Sequence, residues 1–92
     1  MKCYAFGIGG LPDPVLHPIQ AKKVRDFIVG LEGLAGMHLV DRYHTLLAFE
    51  TLNQAKRARN RIRDAGNPVG NHIMNTEISE DRKMMTVLGP AD

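Results

Sequence analysis

Tryptophan is absent from this chain, and cysteine and serine each occur once. Each scarcity excludes something. With Cys3 alone, no intrachain disulfide can form and no cysteine-based zinc cluster can assemble within one chain. A reducing compartment, the cytoplasm, is the expected location. Ser79 stands alone in a turn-like stretch with no nucleophile-elbow pattern around it. Two tyrosines and three phenylalanines make any aromatic stacking platform sparse. No apolar run approaches the ~20 residues that cross a bilayer. The opening "MKCYAFGIGG" also lacks the apolar stretch of a secretory leader, so no membrane association is expected.

What is present reads as globular. Ninety-two residues predict one domain, 1–92, because two would each be too small to fold alone. Apolar residues make up 43% and charged residues 24%, an ordinary balance for a packed chain. A net charge of +2 is mildly basic and argues against an acidic mimic of DNA.

Residues 3 to 8, "CYAFGI", alternate strictly, with Tyr4, Phe6 and Ile8 on one side of a half-buried strand. "GGLPDPVLHP" holds two glycines and three prolines and reads as a loop. Pro18 suits a helix first turn. Ala21, Val24, Phe27, Ile28 and Leu31 then recur at spacings of three and four, an apolar stripe ended by Gly30, Gly33 and Gly36. "MHLV" and "YHTLLAFE" predict a hairpin turning at Asp41-Arg42, or one a residue or two longer. Thr51 and Gln54 fit a capping box at the start of a second helix. Its stripe is Leu52, Ala55, Ala58, Ile62 and Ala65, and Gly66 and Pro68 end it. "NHIMNTEI" is a fourth strand. "KMMTVL" is a fifth short strand or a tail. The order is β-α-β-β-α-β. It predicts an α+β, ferredoxin-like antiparallel sheet with two helices on one face and its other face open to solvent or a partner.

The chemistry-bearing candidates are few. "AKRARNRIR" places Lys56, Arg57, Arg59, Arg61 and Arg63 on the second helix, with Asp64 the sole acid from 51 to 66. At 100° per residue, Lys56, Arg59 and Arg63 form a row beside the apolar stripe, and Arg57 and Arg61 lie opposite the core. Two readings stand: a solvated helix face, or a contact surface for phosphates or an acidic partner. "GIGG" lacks both an adjoining helix start and a Lys-Ser/Thr signature, which argues against a nucleotide loop. With a two-residue turn, His38 pairs with Thr45 and His44 with Leu39, so the two histidines point to opposite faces and no metal site is expected. No cofactor and no catalytic set is assigned, and the chain reads as a non-enzyme.

"RYHTLLAFETLNQAKRARNRIRDAGNPVG", residues 42 to 70, resembles the third strand, second helix and following loop of an RNA recognition motif. The resemblance implies the same topology, with bases stacked on side chains of the two central strands. The matching positions are His44 and Leu46 in one strand and Tyr4 or Phe6 in the other. In size, compactness and lack of catalytic motifs, the chain also looks like the short accessory proteins of phages and mobile elements, anti-CRISPR proteins among them. That likeness implies an inhibitor that occupies a surface of a larger host protein or ribonucleoprotein. Two functions are therefore expected. The first is a protein-binding module docking through its sheet face or basic helix. The alternative is an RNA- or single-strand-DNA-binding domain using Tyr4, Phe6 or His44 for stacking and the five cations for phosphates. A homodimer through strand-edge pairing or sheet-face stacking is a further expectation.

Overall fold

The alternation of residues 3 to 8 does form a strand, β1 (Lys2–Gly9), in a computed structural model that describes residues 1–91. α1 (Pro18–Val29), β2 (Leu34–Asp41), β3 (His44–Phe49), α2 (Leu52–Asp64), β4 (Met74–Ile78) and β5 (Met85–Pro90) follow. The class is α+β. All five strands pair antiparallel in one sheet, in the order β2-β3-β1-β4-β5.

The core follows from the period-two pattern of the central strands. β1 and β3 align Tyr4 with Phe49, Phe6 with Leu47 and Ile8 with Thr45. The large residues of both strands therefore share one face. Phe6 and Phe49 stack there, with ring centroids 5.6 Å apart and planes 3° from parallel. Ile28 and Leu31, with Ala55, Ala58 and Ile62 of α2, close over them. Each large side chain buried this way contributes about 1.5–3 kcal/mol. The alanines of α2 let that helix approach the sheet. Its N-terminus carries the full capping box: Thr51 Oγ1 accepts from the Gln54 N–H, and Gln54 Oε1 accepts from the Thr51 N–H, each at 3.2 Å. α1 is docked more lightly, and only Ile28 of its residues is buried.

The other face departs from expectation. Cys3, Ala5, Ala35, Ala48 and Ile78 are buried there with Met85 packed on them. The floor is made of small residues, so the far edge can curl back over it. A Cβ placed on Gly36 would lie 3.3 Å from Ile78 Cδ1 and 3.8 Å from Met85 Cε. Arg82, in the turn between β4 and β5, donates through Nη1 to the Ala35 carbonyl at 3.2 Å. The β4–β5 hairpin is thus latched onto β2, and part of the face expected to be open is covered. "KMMTVL" does supply a fifth strand, and Gly36 lies inside β2 instead of ending a helix.

The β2–β3 hairpin turns at Arg42-Tyr43, one residue later than Asp41-Arg42. Asp41 drives the shift by accepting from the Tyr43 N–H at 2.7 Å and pairing with His44 Nδ1 at 2.9 Å. A bulge between Leu39 and Asp41 absorbs the extra residue, so His38 lies opposite Leu46. His38 and His44 therefore share a face, contrary to the register expected from sequence.

Candidate functional site

The five cations of α2 do come together on one helix, on two flanks with different surroundings. Lys56, Arg57 and Arg63 are exposed. Arg59 is half-buried, and its Nη1 donates to the Asn71 carbonyl at 3.2 Å. Arg61 does not lie opposite the core. Its guanidinium sits over the Phe27 ring of α1, 5.3 Å from the centroid. Arg57 and Arg61 also line a shallow cleft of about 200 Å³ together with Glu32. An acid on that flank weakens its attraction for phosphate, which leaves Lys56 and Arg63 as the cleaner cationic row. Arg61 and Arg63 sit in the last turn of α2, where cations offset the negative helix end.

The proposed stacking residues are not brought together. Phe6 is fully buried against Phe49 and has no ring face to offer a base. Tyr4 is half-buried on the same helix-facing side, with Lys2 Nζ 5.8 Å from its ring centroid. His44 lies on the opposite face, exposed and paired with Asp41. The residues β1 and β3 turn away from the helices are Cys3, Ala5, Gly7, His44, Leu46 and Ala48, a set in which the His44 imidazole is the only ring. "GIGG" ends β1 well short of the start of α1, and the N-cap residue His17 makes no side-chain cap bond.

A different surface was missed. In the loop before α1, the Asp13 carboxylate accepts from the Val15 N–H at 2.7 Å and the Leu16 N–H at 3.2 Å. The His17 N–H donates to the Asp13 carbonyl at 2.7 Å, and the Ala21 N–H to the His17 carbonyl at 2.9 Å. The Val15 N–H and then the Leu16 N–H hold the Asp13 carboxyl below the ordinary value of 3.8. Pro12, Pro14 and Pro18 further restrict the segment. The result is a rigid knob, yet Val15, Leu16 and Ile19 on it remain 85%, 72% and 74% exposed. Beside it lies a cleft of about 400 Å³ between β1, α1 and the end of α2, walled by Leu11, Pro12, Val24, Phe27, Ile62 and Pro68 among others. The signal was legible as Asp-Pro-Val-Leu between prolines, an aspartate that starts a turn with apolar residues at its tip.

Cys3 is buried, and burial pushes its thiol above the ordinary value, so it is a poor nucleophile. Among the described residues, no three His, Cys, Asp or Glu side chains converge as a metal site. No helix among them is long and apolar enough to cross a membrane. No protein-family model, curated protein or solved structure matches the chain.

Proposed function

We propose that this chain is a small non-enzymatic protein-binding module on a ferredoxin-like plait extended by one strand. Removing β5 leaves the order β2-β3-β1-β4 with a β-α-β-β-α-β chain, which supports that fold reading. The observation that carries the functional reading is the knob at 13–19. Proteins rarely immobilise bare apolar side chains, and a preorganised apolar tip next to an apolar cleft is the anatomy of a binding hot spot. Its contact is with protein. The partner we favour is a larger nucleic-acid-handling complex, toward which α2 would present its exposed cations as an electrostatic guide.

Site-specific photo-crosslinking tests the reading. A crosslinker at position 16 should give a discrete protein adduct in the native host, and one at exposed Glu80 should not. No protein adduct at position 16 would overturn it. The nucleic-acid reading keeps the cations of α2 and the exposed His44, since Phe6 is buried and Tyr4 packs on the helix side. Anisotropy with short RNA and DNA at low salt decides it, and no binding at micromolar protein would remove it.

A further inference from the structure

The knob and the cleft are neighbours on one face. His17, Pro18 and Ile19 of the knob line a smaller cleft with Gln20 and Lys23, and Gln20 and Lys23 also line the 400 Å³ cleft. A surface that carries both a projection and the hollow beside it is self-complementary under a two-fold axis. The charges match in the same sense. Among the described residues, Lys23 is the only Lys, Arg, Asp or Glu on either cleft wall, and it has no acidic partner within salt-bridge distance. Its neighbour Lys22 is paired with Asp26 at 2.7 Å. The knob carries Asp13, and both of its local bonds go to Oδ1, which leaves Oδ2 free to accept from outside. A net charge of +2 per chain sets up little repulsion between copies.

We infer that the occupant of this face is a second copy of the chain, with each knob seated in the other copy's cleft and Asp13 of each facing Lys23 of the other. The inference rests on the reading of this face as a protein contact. It leaves both sheet edges and the exposed cations of α2 outside the interface, so a dimer would present two basic helices to a larger partner. It also differs from strand-edge pairing. Gly89, at φ +149, and Pro90 end the β5 edge in a form that resists adding a strand.

Sedimentation velocity and light scattering on the full chain test this. The wild type should run at about 20 kDa, twice the 10.2 kDa of one chain. Leu16→Glu puts a charge on the knob and Ala65→Arg puts one in the cleft, both at exposed positions. Each alone should weaken the dimer roughly tenfold or more, because a charge cannot enter an apolar hollow unpaired, while Tm measured at dilutions where the wild type is also monomeric stays unchanged. An equimolar mixture of the two should recover a dimer, since one wild-type contact remains and the other becomes Glu against Arg. Leu88→Glu on the β5 edge should have no effect. A wild-type monomer at about 100 μM, or a dimer indifferent to Leu16→Glu and Ala65→Arg, overturns the inference. A monomer that still crosslinks from position 16 to another protein overturns self-association alone. A chain that does neither overturns the protein-contact reading as well.

Discussion

Replacing Gly33 with Ala should destabilise the protein through two coupled effects. Gly33 lies between α1 and β2 with φ +79, a conformation in which an L side chain costs about 1–2 kcal/mol. A Cβ there would also overlap the Gln54 side-chain amide, whose Oε1 caps the Thr51 N–H at the start of α2. Displacing that amide removes half of the capping box, about 1 kcal/mol. The sum is about 2–3 kcal/mol. At 4–8 °C per kcal/mol for a chain of this size, that is a Tm decrease of roughly 10–20 °C. Urea unfolding at constant m would measure it. The coupling gives the sharper check. Gln54→Ala removes the same capping bond, so the double variant should lose about 1 kcal/mol less than the two single losses added. A Gly33→Ala loss under about 0.5 kcal/mol, or full additivity in the cycle, would refute the reasoning.

Four other expectations follow from particular contacts. Arg82→Ala removes the bond to the Ala35 carbonyl that latches the β4–β5 hairpin, at about 1–3 kcal/mol, and should speed thiol labelling of buried Cys3; an unchanged labelling rate would mean that the hairpin does not guard it. Thr45→Val should stabilise by about 1 kcal/mol, because the Thr45 hydroxyl is buried with no hydrogen-bond partner among the described residues; a loss on urea titration would mean that it has one. Lys56→Ala/Arg57→Ala should leave stability within about 0.5 kcal/mol, whereas Arg61→Ala should lose about 0.5–1 kcal/mol through Phe27; equal Tm values for the two variants would contradict the Arg61 contact. The Asp13, Asp41 and Asp81 carboxyls are held low, first by the Val15 N–H, the Tyr43 N–H and the Ser79 hydroxyl respectively. Stability from these groups is therefore complete above the ordinary value of 3.8 and lost as pH falls through the lowered folded values, and Asp13→Asn should flatten part of that acid slope in a Tm–pH series.

The helix-side half of this molecule was legible in the sequence because its signals are local. Tyr4, Phe6 and Ile8 repeat at the strand period, and Ala55, Ala58 and Ile62 at the helix period. The Thr51–Gln54 pair announces its cap three residues ahead. The remainder depended on long-range events. Nothing near Gly36 says that Ile78 and Met85 will pack over it, because that contact depends on how far the sheet curls. Arg82 reaches a carbonyl 47 residues away, and no spacing rule anticipates it. The His38–His44 relation was misjudged by one residue of register. That single residue is enough to move a side chain to the other face. The knob is hard to read because glycine and proline mark 9–18 as a loop, and no periodicity shows that Val15 and Leu16 within it stay exposed.

The resemblance of residues 42–70 to an RNA recognition motif carries an expectation of base stacking that depends on where the side chains face. Stacking a base needs a ring on the sheet face turned away from the helices and open space above it. Here the rings of β1 point into the core, where Phe6 meets Phe49. The opposite positions of β1 hold cysteine, alanine and glycine, and the ring that β3 presents there, His44, is paired with Asp41. Small residues do more than fail to stack: they let the β4–β5 hairpin fold down over them, and the space a base would need is taken by Ile78 and Met85. Restoring a ring at Ala5 or Ala48 would therefore force the hairpin off before it could offer a platform, since both positions are fully buried. The core occupies one face, and the hairpin covers Cys3, Ala5, Ala35 and Ala48 on the other, which is why the binding surface we propose lies on the helix side. There the chain combines a bare apolar tip, a hollow beside it and a lysine that has no acidic partner among the described residues.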